Sequence, residues 1–290
     1  MGFPAALVAA ALWGTSGVFV KLIVSSMEIS ALALAFWRDL VAFILLLVGV
    51  RLLRPELLAF RRQDWVLVTG LGISLGGFHA CWNLGVMLNG AAVATVQQAA
   101  MPAIVAVAAW VVWRESLTWL NGVAILLTFG GTVLVSGPDV LSRAEIAWSG
   151  LLLGVGIPLL YAGWNLFGKQ LRRRYHPLTV LTYGFGVGAA ILLPFQFNAP
   201  QPWPFPWQVG ISFAGLIVLP TILGFTVYTF ALGRLPASVA TILAMSEIAF
   251  VAVYAYLLLG ERLTAGQVMG SLLVVAGVIL LIRRQEPLAA

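Results

Sequence analysis

The chain has 290 residues, of which 61% are hydrophobic and only 9% are charged, and its mean hydropathy is +1.02. Soluble domains carry about a quarter charged residues, so this composition excludes a soluble globular protein and predicts an integral membrane protein. The net charge of +6 does not indicate a nucleic-acid-binding protein, because the basic residues stand at the ends of apolar segments and form no single patch.

The apolar run at the start of the chain extends from Pro4 to about Ser25 and has no basic region before it. It is too long for a cleavable signal and predicts a first spanning helix. Runs of about 20 apolar residues are long enough to cross the hydrocarbon core of a bilayer. Ten such spans are predicted, at residues 4–25, 31–50, 65–88, 91–113, 118–136, 148–170, 178–198, 207–230, 237–259 and 264–282. Only the loops at 51–64, 137–147 and 199–206 are longer than tight connections, and no soluble domain is expected.

One stretch of the sequence occurs twice. Residues 93–134 align with residues 239–280 at an offset of 146, with 15 identities in 42 positions. Chance would give roughly four in so apolar a composition. The identical residues are Val93, Ala94, Thr95, Ala103, Val105, Ala106, Val107, Ala109, Glu115, Leu117, Thr118, Leu126, Leu127, Gly131 and Leu134. Each copy contains two apolar runs joined by a short polar elbow, which indicates a transmembrane helical hairpin.

The repeat defines two halves of five spans each. Because five is odd, the second half enters the membrane upside down relative to the first, and the elbow residues Glu115 and Glu261 fall on opposite faces. We predict an all-α membrane protein of one integrated domain, with a first five-helix repeat at 1–137 and a second, inverted repeat at 147–290. Inverted repeats are characteristic of secondary transporters, since one scaffold can open alternately to either side.

The distribution of basic residues predicts the orientation. With a cytoplasmic N-terminus, twelve Lys and Arg residues lie in cytoplasmic loops, two lie outside (Arg143 and Arg262), and two lie within spans (Lys21 and Arg38). Both termini are therefore predicted to be cytoplasmic. The twelve are Arg51, Arg54, Arg61, Arg62, Arg114, Lys169, Arg172, Arg173, Arg174, Arg234, Arg283 and Arg284.

Several short motifs carry a resemblance to a known family. They are Trp13-Gly14-Thr15, Trp37-Arg38, Trp113-Arg114-Glu115, Gly260-Glu261-Arg262-Leu263 and the two elbows of the form Glu-x-Leu-Thr. Together with ten spans in two inverted halves, they resemble the drug/metabolite transporter superfamily with its paired EamA domains, over essentially the whole chain. Within it the chain looks most like the bacterial YddG-type amino-acid exporters. The resemblance implies efflux of small metabolites across the bacterial inner membrane through a central cavity between the halves.

Four predicted spans present aromatic and polar stripes. His79, Trp82 and Asn83 share one helical face of the third span, and Tyr161, Trp164 and Asn165 share one face of the sixth. Their repeat counterparts include Tyr228 in the eighth span and Trp13 in the first. These stripes are predicted to line a cavity for an amphipathic solute, because rings bind apolar bodies and attract ammonium groups. The alternative is packing or an interfacial belt, which we favour for the tryptophans at span ends: Trp65, Trp113, Trp119, Trp148, Trp203 and Trp207.

Ionisable groups within spans are expensive and suggest function. Glu247 could exchange protons, pair with a substrate ammonium, or bond as a neutral acid to a neighbouring helix. His79 could likewise titrate or simply bridge helices. Arg38 could meet a substrate carboxylate, although a structural ion pair or snorkelling is favoured for it. Gln97 and Gln98 could hydrogen-bond a solute or bridge helices.

Three prolines, Pro102, Pro158 and Pro220, fall within predicted spans and should kink them, which makes the kinked helices candidates for gating elements. An enzyme is disfavoured, because the sequence has no phosphate-binding loop and no His-Glu-x-x-His motif. No cofactor and no metal are predicted, and no obligatory protein partner is evident. The remaining alternatives to an amino-acid exporter are an efflux carrier for drugs or cationic compounds and a passive solute channel.

Overall fold

The computed structural model describes residues 1–136, 148–197, 204, 206–259 and 264–285, and every regular element within these residues is a helix. A π-helical turn covers Ile217–Gly224, and short 3-10 turns cover Pro55–Leu58, Arg62–Asp64 and Leu193–Gln196. The α-helices are α1 (Gly2–Gly14), α2 (Ser16–Ser26), α3 (Ala31–Leu53), α4 (Trp65–Gln98), α5 (Met101–Trp113), α6 (Trp119–Ser136), α7 (Trp148–Leu171), α8 (Pro177–Leu192), α9 (Trp207–Leu216), α10 (Phe225–Leu232), α11 (Ala237–Ala244), α12 (Glu247–Leu259) and α13 (Ala265–Gln285).

Nine segments in the described part of the chain are helical, long and apolar enough to cross a membrane. They fall on nine of the ten predicted spans, while α7, which has 24 residues, occupies the remaining span but is not one of the nine. The multi-span helical architecture is confirmed, whereas the count of ten spans stays a prediction. The predicted loop 137–147, most of the loop 199–206, and the outer elbow with Glu261 and Arg262 lie outside the described residues.

Helical backbone continues past the predicted end of the third span at residue 88, through Gln98, and the segments able to cross a membrane on either side of that boundary are Arg62–Gly85 and Val96–Trp113. A Cβ built on Gly85 would lie 3.5 Å from the Cβ of Ala94. Nine residues of straight helix would separate these two positions by about 13 Å. The chain therefore turns back between Gly85 and Ala94, which separates the third span from the fourth.

The fourth and ninth spans are interrupted at equivalent positions. Residues 99–100 separate α4 from α5, and residues 245–246 separate α11 from α12, which is the repeat offset of 146. The first span is also divided, at Thr15, whose hydroxyl donates to the Leu12 carbonyl over 2.7 Å. The amides at these breaks donate to carbonyls three residues earlier, as Ala99 does to Val96 and Met245 does to Ile242, so the backbone stays hydrogen-bonded although the α-helix is interrupted.

The contact between α6 and α13 displays the inverted symmetry. A Cβ on Gly131 would lie 2.5 Å from the Gly270 carbonyl oxygen, and a Cβ on Gly277 would lie 3.0 Å from the Ala124 carbonyl oxygen. The repeat offset of 146 relates Gly131 to Gly277 and Gly270 to Ala124, so the two contacts are equivalent. The helices run antiparallel, because the earlier residue of α6 meets the later residue of α13. Two repeat-equivalent helices that pack antiparallel are related by a pseudo-two-fold axis perpendicular to the helices, as inverted repeats require.

The remaining helices pack in symmetry-related pairs. The first span packs on the eighth, where α1 contacts α10 and the π-helical turn, and the third packs on the sixth, where α4 contacts α7. The α4–α8 contact is close, since a Cβ on Gly76 would lie 2.8 Å from the Gly188 carbonyl oxygen. Small residues at such crossings allow helix backbones to approach each other in lipid.

Polar contacts join the connections that were predicted to lie on the cytoplasmic face. Arg174 donates to Asp64 over 2.9 Å and the Tyr175 hydroxyl donates to Asp64 over 2.6 Å, which joins the connection before α4 to the one after α7. Lys169, near the end of α7, donates to the Leu232 carbonyl at the end of α10 over 2.9 Å. These contacts place the ends of several spans together at one side of the bundle.

Candidate functional site

The predicted aromatic residues of the first, sixth and eighth spans meet at the centre of the bundle. Trp13 lies 4.8 Å from Tyr228 and 6.0 Å from Trp164 between ring centroids, and Tyr161 stacks on Trp164 at 5.6 Å. Phe225 lies 5.0 Å from Trp164 and 5.1 Å from Trp13. We call these five rings the aromatic cluster. All are buried, and the exposed fraction of Trp164 is 1%, so the rings fill the space between the repeats by packing on one another.

The position of Trp13 depends on the irregular backbone of the eighth span. A Cβ on Gly224 would lie 2.9 Å from the Trp13 ring, so glycine is needed for the close approach. Gly224 ends the π-helical turn that contains Pro220, which cannot donate a backbone hydrogen bond. Such π-turns often occur at functional sites. The turn widens the eighth span where it faces the first.

A buried hydrogen-bond network holds the cluster. The Tyr228 hydroxyl donates to Asn165 Oδ1 over 2.6 Å, and Asn165 Nδ2 donates to the Tyr161 carbonyl over 2.8 Å. Asn165 and Tyr228 have no exposed surface. The Asn165 amide is thus occupied by protein groups, and its contribution is to orient the ring of Tyr228.

Replacing Tyr228 with phenylalanine should lower the free energy of unfolding by about 1–3 kcal/mol, because it leaves the buried Asn165 oxygen without a donor. The change is measured as a shift in the unfolding temperature in detergent, and size-exclusion chromatography monitors how much folded protein remains after heating. Tyr256→Phe is the matched control, since Tyr256 lies on α12 with 55% of its surface exposed. Equal unfolding temperatures for the two variants would contradict the role of this hydrogen bond.

Arg38 of α3 extends toward the same turn of the eighth span. Its Nε donates to the Thr221 hydroxyl over 2.8 Å, and its guanidinium lies 5.8 Å from the centroid of the Phe225 ring. Thr221 in turn donates to the Leu216 carbonyl. Arg38 remains partly accessible. A cation that keeps accessible surface beside an aromatic ring can bind an anionic group.

Glu247 is the first residue of α12, directly after the break in the ninth span, and it is also partly accessible. Its carboxylate is close enough to interact electrostatically with the Arg38 guanidinium and with Tyr161 of the aromatic cluster. A cation within range stabilises a carboxylate that is largely removed from water. The structure therefore brings together a cation, an anion and aromatic rings from five different spans.

His79 lies near Arg38 but is itself buried and engaged by another side chain. Its Nδ1 lies 2.8 Å from Asp39 Oδ1, and both side chains are buried. Asp39 thus pairs with His79, while its neighbour Arg38 bonds to Thr221 of another span. The ring of His79 packs edge-on against Phe225 at 5.8 Å. These contacts join α3 to α4 and support the Phe225 ring of the aromatic cluster.

The other predicted residues of the third and fourth spans are Trp82, Asn83, Gln97 and Gln98, and they differ in their contacts and burial. Asn83 Nδ2 donates to the Ala31 carbonyl over 2.8 Å, so it ties α4 to the start of α3. Trp82 is half-buried, and its indole nitrogen has no hydrogen-bond partner among the described residues. Gln97 packs near Gly85 and Gly154, and Gln98 is buried.

The three prolines occupy different backbone environments. Pro102 lies in the first turn of α5, just after the break at residues 99–100, and Pro220 lies inside the π-helical turn. Pro158 lies inside α7, which continues as one α-helix on both sides of it. The interruptions of the fourth and eighth spans thus coincide with prolines, while the ninth is interrupted without one.

The predicted site residues did not include three residues that shape this region: Asp39, Thr221 and Phe225. Asp39 is an acid within a span, which is itself a signal of function or pairing. Phe225 is the repeat counterpart of His79 and was visible in that comparison. In the described residues, no group of three His, Cys, Asp or Glu side chains is arranged to hold a metal ion.

A two-repeat helical fold whose halves meet at aromatic and charged side chains defines a polytopic membrane transporter. The chain belongs to the EamA-like transporter family, whose sequence profile matches residues 1–137 and 148–283. This confirms the predicted superfamily. The protein is therefore a multi-pass membrane transporter for a small solute.

Relatives of the chain are named as transporters. An uncharacterized transporter of Archaeoglobus fulgidus is 27% identical over 277 residues, which are 94% of this chain and 95% of that protein. The uncharacterized inner membrane transporter YicL of Salmonella typhimurium is 27% identical over 95% of this chain and 93% of its own length. The threonine/homoserine exporter RhtA of Salmonella typhimurium is 28% identical over 82% of this chain and 79% of its own length.

The fold is shared with a solved crystal structure of another protein. That structure superposes with a TM-score of 0.82 over 100% of this chain and 99% of its own, at 15% sequence identity. A likeness at this identity establishes the architecture and does not identify the solute.

Proposed function

We propose that the protein exports amino acids, or similar small amphipathic metabolites, from the cytoplasm by alternating access. The observation that carries this proposal is that Arg38 of the first repeat and Glu247 of the second lie within electrostatic range of each other and beside the aromatic cluster. A zwitterionic amino acid presents one carboxylate and one ammonium group. Arg38 can bind the carboxylate and Glu247 can bind the ammonium. The rings, which pack on one another here, would contact an apolar or aromatic side chain once the repeats move apart during transport.

The relatives support the direction and the substrate class. RhtA is named as an exporter of threonine and homoserine, which are both zwitterionic amino acids. The location that we propose, the bacterial inner membrane, agrees with the description of YicL. Both termini are proposed to be cytoplasmic, on the basis of the basic residues in the loops. The bilayer is then the protein's main partner besides its solute.

The test is counterflow in liposomes that contain the purified protein. A panel of labelled amino acids that includes threonine, homoserine and phenylalanine is compared with phenylethylamine, which lacks the carboxylate. An amino-acid carrier should show saturable counterflow of at least one amino acid and weak transport of the amine. Absence of counterflow with every amino acid would contradict the proposal.

Arg38→Gln should lower kcat/KM for the transported amino acid by at least about tenfold, because a buried charged hydrogen bond to the carboxylate is lost. Transport of phenylethylamine, if measurable, should be unaffected by the same change. Arg51→Gln is the matched control, since Arg51 is an exposed arginine on the same helix. Equal losses for both solutes would remove Arg38 as the carboxylate-binding group.

Glu247→Gln should weaken transport of both the amino acid and the amine, since both present an ammonium group. It should also alter the dependence of transport on pH, which is measured from initial rates between about pH 5 and pH 9. Glu28→Gln, at an exposed position, serves as the control. A pH profile identical to that of the unmodified protein would reject Glu247 as a proton-binding group.

Glu247 next to aromatic rings also favours a second candidate, an efflux carrier for drugs or cationic compounds. Such a carrier should transport the amine at least as well as any amino acid, and it should not require Arg38. A passive channel would give flux that neither saturates nor shows counterflow. The same liposome measurements therefore separate the three functions.

A further inference from the structure

Glu115 makes a contact between the repeats that the proposed substrate site does not use. Glu115 follows α5, and its Oε1 accepts from the Ala237 amide over 3.0 Å. Its Oε2 accepts from the Ser238 hydroxyl over 3.0 Å and from the Ser238 amide over 3.4 Å. A carboxylate from the first repeat thus caps the first turn of α11 in the second repeat, where unpaired amides and the helix dipole favour a negative charge.

The backbone at the end of α5 aims Glu115 at its partner. Arg114 adopts a left-handed conformation with φ of 56°, and the Glu115 amide donates to the Ala109 carbonyl over 3.3 Å. The Arg114 amide also donates to the Trp110 carbonyl over 3.1 Å, which is the five-to-one bond of the αL motif that terminates a helix and redirects the chain. A non-glycine residue rarely adopts positive φ, so the local geometry is held against a preference of the backbone.

The connection between α10 and α11 is held from both sides. Lys169 donates to the carbonyls of Leu232 and Leu235 at the end of α10, while Glu115 accepts from the amides at the start of α11. A cation at a helix C-terminus and an anion at a helix N-terminus both complement the helix dipole. The two side chains are also close enough to interact electrostatically.

The capped helix is short and has a break at its other end. All residues of α11 are buried, and residues 245–246 separate it from α12, which begins with Glu247. A half-helix that is attached through a break can swing without deforming the rest of the span. Movement of α11 would begin next to Glu247, which is the residue that we assign to the substrate ammonium.

We propose that α11 is the cytoplasmic gate of the transporter and that Glu115 is the latch that holds it closed. The inference rests on the proposed alternating-access function, and it adds a residue outside the substrate site that controls access to that site. In the inward-open state the three contacts of Glu115 are broken and α11 moves away from the end of α5. Loss of the latch shifts the equilibrium toward that state.

The repeat gives the latch an expected counterpart. The offset of 146 relates Glu115 to Glu261, and it relates Ala237 and Ser238 to Ala91 and Ala92. The two sides differ in sequence, because Ala92 stands where the second repeat has Ser238 and Gly90 stands where it has Pro236. A cap formed by Glu261 would therefore lack the hydroxyl contact that Glu115 makes.

Cysteine accessibility tests the latch without a substrate. The native Cys81 is replaced by alanine, and Ala240→Cys places a reporter in α11, where the native side chain has no exposed surface. A membrane-impermeant maleimide is applied from the cytoplasmic side to inside-out vesicles. Glu115→Ala should raise the labelling rate roughly five- to tenfold, the factor that corresponds to loss of a charged helix cap. Glu115→Gln should have a smaller effect, because glutamine can still accept one hydrogen bond.

Controls separate a latch from a general loss of structure. Glu56→Gln changes an exposed glutamate in the Pro55–Leu58 turn and should leave labelling unchanged. Ser238→Ala removes the partner hydroxyl and should also raise labelling, and adding Glu115→Ala to it should have less than the additive effect. All variants should elute as monodisperse protein.

An unchanged labelling rate in monodisperse Glu115→Ala and Ser238→Ala proteins would overturn the latch. If labelling rises but no amino acid shows counterflow, the latch stands and the proposed substrate class fails. If an amino acid shows counterflow but neither variant changes the labelling rate, the proposed substrate class stands and the latch fails.

Discussion

Replacing Gly131 with alanine is expected to cause a large loss of stability. Its Cβ would lie 2.5 Å from the Gly270 carbonyl oxygen and 2.9 Å from the Val274 amide nitrogen, so the clash is with backbone that cannot rotate away. α6 and α13 would have to separate along their length. Overpacking costs about 1–3 kcal/mol, and more where backbone must move.

Gly130→Ala is the matched control, because a Cβ on Gly130 meets nothing within 4 Å. Alanine at that position should be neutral or stabilising by up to about 1 kcal/mol, since it favours the helix. Unfolding temperatures of both variants in detergent test the difference. A Gly131→Ala protein as stable as Gly130→Ala would show that α6 and α13 do not approach as described.

Trp164→Ala is the second change with a large expected effect. Trp164 is 1% exposed and contacts the rings of Trp13, Tyr161, Phe225 and Tyr228. Removing a buried tryptophan costs about 3–5 kcal/mol through lost contacts and the cavity left behind. Transport should fall with it, because the orientation of four other rings is lost. Thermal unfolding and counterflow of the identified solute measure the two effects separately.

Trp119→Ala is the control for this prediction, since Trp119 is 75% exposed at the start of α6 and should lose little stability. Trp164→Phe should restore part of the packing and part of the transport. If Trp164→Ala unfolds at the same temperature as Trp119→Ala, the aromatic cluster does not support the bundle.

Transport can be tested with less structural damage at Trp82, which is half-buried. We predict that alanine in place of Trp13, His79, Trp82 or Trp164 impairs transport while membrane insertion is retained. Trp82→Ala is the most direct of these tests, because the other three side chains are buried in the core. Unmodified flux in all four variants would remove these residues from the substrate pathway.

Several features of the fold could be predicted because they are written along the chain. The composition required a membrane protein, and the repetition of Glu115 and Gly131 as Glu261 and Gly277 indicated two copies of one unit. The stripe of Tyr161, Trp164 and Asn165 was predicted to face the other half, because residues three and four apart share a helical face. Their contacts with Tyr228 and Trp13 agree with that geometry.

Other features could not be predicted, because they depend on helices that meet only after packing. Asn165 looked like a group that could bind a solute, yet its amide is engaged by Tyr228 and by the Tyr161 carbonyl. His79 looked similar, yet it pairs with Asp39, which lies 40 residues earlier. The hydrogen-bonding capacity of a side chain is visible in the sequence, whereas its partner is not.

The sequence by itself determined that the chain spans the membrane repeatedly and that its two halves are inverted copies. The first follows because burial in lipid acts on each apolar run independently. The second follows because each copy is predicted to contain an odd number of spans. Only the tertiary structure decided that Arg38 bonds to Thr221, 183 residues away, and that Glu115 caps a helix 122 residues away. Contacts at such separations depend on the rotation and tilt of whole helices, which are set by packing between neighbours and not by hydropathy.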